Sequence, residues 1–452
     1  MTSRRRRRHP VKISGLILAF IIVTALLIFT KSLLTKEQSS EEPKYKEPLF
    51  ALNHLLSNEK SELPETKKLD GYIRQFMRQW GIKGASVAIM KDERLIYAKG
   101  YGWADEEDSV KTEVRHIFRI ASVSKLITAA TVMKLVEKGI LSLDQKPFAR
   151  GGLMDIPEFK DIKDKRVRSI TIEELLRHRG GFSRRGGDPM FIPNIIRNRM
   201  KLDSAPGTDD IIRYVLSRDL SYEPGNGTKY SNFGYVLLSR IIEQATGIPY
   251  ESYVKNVILA PVGIYDMHIA RNFHEQKFPN EVRYYEPHDE LLIESFDGSG
   301  IMRPKCYGGN NVAGLLGAGG WVASPSELIR FLASIDGRPE IPDILSPESI
   351  KIMTTADAQH LPIGWAKARP NGDWTRTGTL SGMSAMLKCQ KDGLTWVFLA
   401  NTSSWKGARF PRIIEGMFNK AFSGMDSLPQ RDLFDVTSDE MSETDLQSEG
   451  EE

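Results

Sequence analysis

Two segments, one near each end of the central part of the chain, repeat apolar residues at the spacing of an amphipathic helix. The first follows i, i+3, i+4, i+7, i+8 and i+11, and the second follows i, i+3, i+4, i+7 and i+11. Each pattern predicts a helix that buries one face. The positions are Leu69, Tyr72, Ile73, Phe76, Met77 and Trp80 in the first segment, and Phe410, Ile413, Ile414, Met417 and Ala421 in the second.

Strand patterns lie near the same two ends. Residues 91–93 and 391–393 each separate two such segments and predict hairpin turns. Strands are therefore expected near both ends of the domain, with a mainly helical section between them. The predicted strands are 84–90, 94–101, 374–380, 384–390 and 394–402.

The region between these strands is mainly helical. Thr171 begins one helix with a capping-box pattern, and residues 233–245 form another that ends at Gly247. Strands at both ends with helices between them predict an α+β fold. We expect one antiparallel sheet, built from both chain ends and flanked by the first and last helices, with an inserted helical lobe.

Residues 122–138 form an apolar helical pattern in the centre of the domain. They contain no proline or glycine, and Gly139 follows where a helix C-terminus favours a positive φ. Apolar residues on nearly every side predict a buried helix joining the two lobes. Ser122 and Lys125 lie three positions apart on one face of it, so Ser122 would open into the cleft between the lobes.

A buried hydroxyl beside a buried amine has a chemical use. A lysine whose pKa is lowered by desolvation can take the proton of a serine and make it a nucleophile. The Ser-x-x-Lys spacing alone is weak evidence, because the chain contains it four times. The other pairs are Ser57/Lys60, Ser252/Lys255 and Ser403/Lys406, and none lies on an equally apolar helix.

Two further stretches carry candidate chemistry. Tyr230 and Asn232 follow a Pro-Gly turn just before a predicted helix. A tyrosine near a cationic lysine can relay a proton, and an asparagine can donate to a substrate carbonyl. A half-buried aromatic residue with an N-cap asparagine is the alternative. Residues 376–379 lie on a predicted strand, where Arg376 could hold a substrate carboxylate and a backbone N–H could face its carbonyl.

These three motifs, in this order, resemble the serine β-lactamase and penicillin-binding protein superfamily, in its class C-like branch. The resemblance covers roughly residues 67–422 and implies the β-lactamase/transpeptidase-like fold. The stretches that carry it are Phe118 to Lys125, Leu175 to Gly181, Glu223 to Asn232, Arg376 to Thr379 and Gly319 to Ser324.

The resemblance implies a role for each motif residue. Ser122 would be the acylated nucleophile, and Lys125 would accept its proton with help from Tyr230. Asn232 would orient the substrate amide. The oxyanion hole would consist of the backbone N–H groups of Ser122 and Thr379.

The third motif departs from the family pattern. Arg376, followed by Thr377 and Gly378, stands where the family usually has lysine or histidine. Arginine keeps the charge needed to bind a substrate carboxylate, but it does not exchange a proton near neutral pH. Substrate binding by these three residues therefore remains expected, whereas a titrating role for Arg376 does not.

The chain ends differ sharply in charge. Residues 1–12 carry six basic and no acidic residues, and residues 423–452 carry ten acidic residues and one basic. Residues 13–30 contain no charge and would span about 27 Å as a helix, close to the thickness of a bilayer core. This pattern predicts a basic cytoplasmic tail, a transmembrane anchor and a domain on the extracytoplasmic, periplasmic side.

A cleaved signal peptide is the alternative to the anchor. Residues 31–66, rich in Lys, Glu, Ser and Pro, are predicted to be a stalk, and the acidic residues 423–452 a disordered tail. The two cysteines, Cys306 and Cys389, could pair, but two small buried side chains are the preferred interpretation. No metal or other cofactor is expected, nor is nucleic-acid binding, since basic and aromatic residues do not interleave.

These patterns favour a membrane-anchored serine hydrolase that acts on an amide or ester through an acyl-enzyme. A cell-wall-type peptide, cleaved as by a D,D-carboxypeptidase, is the first expectation for its substrate. A β-lactamase or esterase of the same family is the second. A non-catalytic binding protein that retains the fold is the third, and its support is the altered motif at Arg376.

Overall fold

The computed structural model describes residues 51–287, 291–358 and 360–436. Its strands, in chain order, are β1 Gly84–Lys91, β2 Arg94–Asp105, β3 Val110–Lys111, β4 Phe118–Arg119, β5 His268–Ile269, β6 Leu292–Glu294, β7 Met302–Pro304, β8 Trp321–Ala323, β9 Lys367–Ala368, β10 Trp374–Leu380, β11 Met383–Cys389 and β12 Leu394–Ala400. An antiparallel sheet of seven strands has the order β3-β2-β1-β12-β11-β10-β9. The predicted sheet built from both chain ends is confirmed.

The pairing of β1 with β12 joins the early strands and the late strands in one sheet. The register runs from Ala85 opposite Ala400 to Lys91 opposite Leu394, without a bulge. Both strands are almost entirely buried, because helices cover both faces of the sheet at this point. Smaller sheets join β4, β8 and β5, and β6 with β7.

Helices cover the sheet and form the inserted lobe. In chain order they are α1 Leu52–Leu55, α2 Lys67–Trp80, α3 Ser124–Glu137, α4 Ile172–Leu176, α5 Pro193–Met200, α6 Thr208–Leu216, α7 Asn232–Thr246, α8 Tyr250–Val254, α9 Lys305–Gly308, α10 Leu316–Gly319, α11 Pro325–Ala333, α12 Pro347–Thr354 and α13 Phe410–Gly424. The helical lobe predicted between the strands is therefore present.

The first and last long helices pack together on one face of the sheet. Phe76 of α2 stacks on Phe410 of α13, with 5.7 Å between ring centroids. Phe76 also meets Phe398 of β12 edge-on at 6.1 Å. These rings belong to one buried apolar cluster, which the periodic apolar residues of both helices supply. The two predicted amphipathic helices are confirmed.

The predicted helix over residues 122–138 starts two residues later than expected. A 3₁₀ turn, Ala121–Val123, precedes α3, which is buried over most of its length. Ala121 has a φ of 45°, outside the range of a right-handed helix, so the regular helix cannot include it. Ser122 therefore lies in the turn that leads into the helix. At the other end Gly139 has the expected positive φ, 67°.

The helix boundaries predicted in the lobe are confirmed. Thr171 and Glu174 form the reciprocal capping box at the start of α4. Gly247 ends α7 with a φ of 71°. These local signals were readable from the sequence because a cap depends on only a few neighbouring residues.

Part of the predicted stalk, residues 51–66, is folded against the domain. Leu52 and Leu56 are buried, and the Ser61 hydroxyl donates to the carbonyl of Ala98 at 2.7 Å. The predicted membrane anchor at 13–30 lies outside the described residues. Within the three described ranges, no helix combines the length and apolarity needed to cross a bilayer.

The start of the predicted acidic tail is also folded against the domain. The backbone N–H of Leu433 donates to the carbonyl of Leu95 at 2.7 Å. The Asp432 carboxylate accepts from the N–H of Leu95 at 3.0 Å. The side chain of Leu433 enters the main apolar cluster. The segment from 425 to 436 therefore continues the domain beyond α13.

Leu433→Ala should lower the free energy of unfolding by about 2–5 kcal/mol, because it empties a site in the core. Leu433 is 5% exposed. Urea unfolding followed by circular dichroism measures the change. Leu361→Ala is the control, since Leu361 is 38% exposed and its truncation should change stability by less than about 0.5 kcal/mol. Equal effects of the two substitutions would contradict the packing of this segment.

Candidate active site

The 3₁₀ turn before α3 holds Ser122 against the edge of the main sheet. A Cβ atom at Gly378 of β10 would lie 2.2 Å from the carbonyl oxygen of Ile120. No side chain other than hydrogen fits there, so Gly378 permits β10 to reach the turn. The positive φ of Ala121 adds a strained residue immediately before Ser122. Both features project the partly exposed Ser122 side chain outward beside the strand.

Four of the predicted site residues form one hydrogen-bonded group. The Lys125 Nζ atom lies 3.3 Å from Ser122 Oγ, and the Tyr230 hydroxyl lies 2.8 Å from it. Lys125 Nζ also donates to Asn232 Oδ1 at 2.8 Å and to the carbonyl oxygen of Ala318. Three separate parts of the chain therefore meet around the Ser122 and Lys125 pair.

The surroundings of Lys125 define where its lone pair can point. A neutral amine has two N–H groups and one lone pair. Asn232 Oδ1 and the carbonyl of Ala318 are acceptors only, so they take both N–H groups. The lone pair is then left for the side of the amine where Ser122 Oγ and the Tyr230 hydroxyl lie. In its neutral form, Lys125 is thus oriented as a base for the Ser122 hydroxyl.

The electrostatics bring the neutral form of Lys125 within reach of physiological pH. Burial and the Arg376 charge, opposed by Tyr230, together lower the pKa of Lys125 to about 8. Burial alone would raise the pKa of Tyr230, but the charges of Lys125 and Arg376 together lower it to about 8. Two groups beside Ser122 can therefore exchange a proton near neutral pH.

Arg376 lies behind the catalytic candidates and is itself buried. Its Nε atom donates to the backbone oxygen of Ser122 at 2.7 Å, and one terminal nitrogen donates to the Tyr230 hydroxyl at 3.0 Å. The cation therefore contacts the phenol oxygen directly. An arginine in this position stabilises a Tyr230 phenolate without giving up a proton itself.

The edge of β10 presents its backbone toward the Ser122 turn. The Thr375 carbonyl accepts from the N–H of Ala366, so it faces away from β11. Alternate residues of a strand direct their backbone groups the same way. Because β10 pairs with β11 without a bulge, Thr377 and Thr379 share this outward direction. The Thr379 N–H therefore faces the side where the predicted oxyanion hole lies.

His178, for which no sequence pattern indicated a role, packs against Tyr230. Its ring lies 4.4 Å from the Tyr230 ring, between centroids, and its Nδ1 accepts from the N–H of Ser231 at 3.2 Å. Burial and the charges of Lys125 and Arg376 hold the pKa of His178 well below 6.5, so the ring is neutral. Its φ of 61° is a tertiary feature that no sequence pattern indicated.

The remaining candidates do not form a second site. Cys306 and Cys389 are buried and not joined by a disulfide, which confirms the preferred interpretation. Ser403 belongs to another Ser-x-x-Lys pair and donates to the Glu286 carboxylate instead. Across the described part of the chain, no group of His, Cys, Asp and Glu side chains could hold a metal ion.

Known relatives match different lengths of this chain. It is 29% identical over 229 residues to Protein flp of Staphylococcus aureus (strain COL), a match that covers 50% of this chain and 41% of that protein. The chain therefore spans less than half the length of this relative. It is 26% identical over 317 residues to Esterase EstB of Burkholderia gladioli, covering 66% of this chain and 77% of that protein.

A solved structure has the same fold. The octameric penicillin-binding protein homologue from Pyrococcus abyssi superposes with a TM-score of 0.59 and 24% identity, covering 82% of this chain and 78% of that chain. At this identity the likeness concerns the fold alone. The model of the family described as Beta-lactamase matches residues 69–414, well over half of the chain. The chain therefore belongs to the β-lactamase family of serine hydrolases.

Proposed function

We propose that this protein hydrolyses an amide or ester through an acyl-enzyme formed on Ser122. One observation carries the proposal: the Ser122 hydroxyl lies between the Lys125 amine, at 3.3 Å, and the Tyr230 phenol, at 2.8 Å. A serine needs a base within hydrogen-bond reach to become a nucleophile, and here two such groups have pKa values near 8.

The proposed acylation begins with proton transfer from Ser122 to Lys125. Ser122 Oγ then bonds to the substrate carbonyl carbon, and the carbonyl oxygen becomes an oxyanion. The N–H groups of Ser122 and Thr379 donate to that oxyanion. As the bond to the leaving amine or alcohol breaks, Tyr230 gives the leaving atom a proton and regains one from Lys125. Water, deprotonated by the same pair, later releases the acid and frees Ser122.

The substrate we propose first is a cell-wall-type peptide, cleaved as by a D,D-carboxypeptidase. Asn232 would orient its amide, and the partly exposed Thr377 of β10 would hold its backbone as an added strand. Gly378, also predicted to bind substrate, is buried and instead lets β10 approach the Ser122 turn. Arg376 was predicted to bind the substrate carboxylate, but it is 3% exposed and already donates to Ser122 and Tyr230. We therefore assign Arg376 to tuning Tyr230.

An ester is the second candidate substrate. The similarity to Esterase EstB supports it, and the Ser122, Lys125 and Tyr230 geometry serves an ester as well as an amide. β-Lactam hydrolysis requires the same acylation followed by fast release. We further propose anchoring by residues 13–30 with the domain outside the cytoplasm, on the strength of the charge pattern at the N-terminus.

Treatment with a fluorescent penicillin and with a fluorophosphonate should give a covalent adduct on the purified protein, seen as added intact mass. Ser122→Ala should abolish the adduct, because it removes the only attacking atom in the proposed mechanism. Ser252→Ala is the matched control, since Ser252 is exposed on α8 and begins another Ser-x-x-Lys pair, so this variant should label normally. If neither probe labels the protein, the hypothesis of a non-catalytic binding protein that retains the fold is favoured instead.

The acylation rate should rise with pH through an apparent pKa of about 8 and level off above it. Below this pH the pair Lys125 and Tyr230 holds its protons and cannot accept the one from Ser122. Stopped-flow labelling between pH 6 and 9.5 measures the profile. A rate that is flat or falling across this range would exclude the proposed base.

Arg376→Gln should move this profile to higher pH. The Arg376 charge lowers the pKa of both Lys125 and Tyr230, so its loss leaves more of the pair protonated. At pH 7 we expect acylation to slow by about tenfold for each unit of displacement. Arg376→Lys keeps the charge and should leave the profile near that of the wild type. If Arg376→Gln and Arg376→Lys move the pH profile by the same amount, the charge of Arg376 does not set the position of the profile.

A further inference from the structure

A buried carboxylate lies just behind the proposed catalytic group. Asp188 ends a loop that reaches the site through Gly186 and Gly187, both with positive φ, and its side chain is 4% exposed. Its Oδ1 accepts from the N–H of Met190 at 3.1 Å and caps the 3₁₀ turn Pro189–Phe191. Its Oδ2 accepts from Asn232 Nδ2 at 3.0 Å.

This second contact determines which way the Asn232 amide faces. A carboxylate only accepts hydrogen bonds, so the amide nitrogen of Asn232 must point toward Asp188. The amide oxygen then points the opposite way, toward Lys125 Nζ at 2.8 Å. A reversed amide would set its oxygen against a carboxylate and its NH₂ group against an amine. Both contacts would be lost, and each lost buried contact is costly.

We propose that Asp188 is a positioning residue, which holds Asn232 in the single orientation that aims the Lys125 lone pair at Ser122. The inference rests on the proposed function of this site. Asp188 does not touch the reacting atoms. It acts through Asn232, whose oxygen occupies one N–H of Lys125, as the carbonyl of Ala318 occupies the other.

Asp188 also supplies a negative charge near the Lys125 amine. Tyr230, Arg376 and Asp188 act on the pKa of Lys125, and of these Arg376 opposes protonation through its charge. His178, which also faces the amine, is held neutral. The Asp188 carboxylate raises the pKa of Lys125, although burial outweighs it. Arg184 lies 3.7 Å from the same carboxylate, on the solvent side. Loss of the Asp188 charge should therefore lower the pKa of Lys125.

The substitution Asp188→Asn distinguishes the effect of Asp188 on the orientation of Asn232 from the effect of its charge on the pKa of Lys125. The variant has one acceptor oxygen for two donors, the N–H of Met190 and Asn232 Nδ2, so it cannot satisfy both. The phosphonylation rate with a fluorophosphonate, which has no amide for Asn232 to orient, is measured against pH. We expect the plateau rate at high pH to fall by about tenfold to hundredfold, because the base is misaligned. We also expect the midpoint of the profile to move to lower pH.

Asp164→Asn is the matched control. Asp164 is partly buried, with a side chain 9% exposed, and caps a 3₁₀ turn by accepting from the N–H group of Arg166; it also accepts from the N–H group of Leu220. Both substitutions should lower the melting temperature. Only Asp188→Asn should change the plateau rate and the midpoint, since Asp164 makes no contact with Lys125, Tyr230 or Asn232 among the described hydrogen bonds.

A double variant that exchanges the two side chains, Asp188→Asn with Asn232→Asp, should restore part of the rate lost in Asp188→Asn alone. The new amide at 188 accepts from Met190 and donates to the carboxylate at 232, whose other oxygen faces Lys125. The plateau rate should recover at least about fivefold over Asp188→Asn, with the midpoint now above that of the wild type.

The outcomes distinguish failure of the positioning role of Asp188 from failure of the proposed function. A plateau within about twofold of the wild type in Asp188→Asn, an equal loss in Asp164→Asn, or no recovery in the exchanged pair would each overturn the positioning role. No phosphonylation of the wild type would instead overturn the proposed function.

Discussion

The site depends on excluding water from the Lys125 amine and on surrounding that amine with fixed hydrogen-bond acceptors. Lys125 is fully buried, and its nitrogen meets an amide oxygen, a backbone carbonyl and the Ser122 hydroxyl. Burial disfavours the protonated form of the amine, and the acceptors restrict the orientation of its N–H groups. An exposed lysine at the same spacing would remain protonated and hydrated. Reactivity here therefore comes from the enclosure around the pair more than from the pair itself.

That enclosure requires both halves of the chain. The helix α3 and the 3₁₀ turn supply the hydroxyl and amine, the lobe supplies Tyr230 and Asn232, and β10 supplies Arg376. The main sheet brings them together because β12 pairs with β1, which places the late strands beside the early ones. The fold and the site are thus built by the same strand pairing.

The sequence predicted what local spacing and periodicity can encode. It identified the sheet, the flanking helices and the residues that meet at Ser122, since amphipathic periods and short motifs are confined to a few neighbouring positions. It did not reveal His178, whose position depends on a loop with a positive φ. Nor did it reveal Ala318, because a backbone carbonyl has no side-chain signature. The start of α3 was misplaced because residues 121–123 form a 3₁₀ turn, with Ala121 at a φ of 45°, that no local pattern indicated.

The close approach of Gly378 to Ile120 has a consequence for the order of assembly. The turn that carries Ser122 and the strand that carries Arg376 are separated by 254 residues of chain. A ribosome must therefore complete nearly the whole domain before the nucleophile meets its neighbouring strand, and contacts of such long range form late. During synthesis, Ser122 would remain an ordinary hydroxyl, and the proposed reactivity would arise only once the final strands had docked.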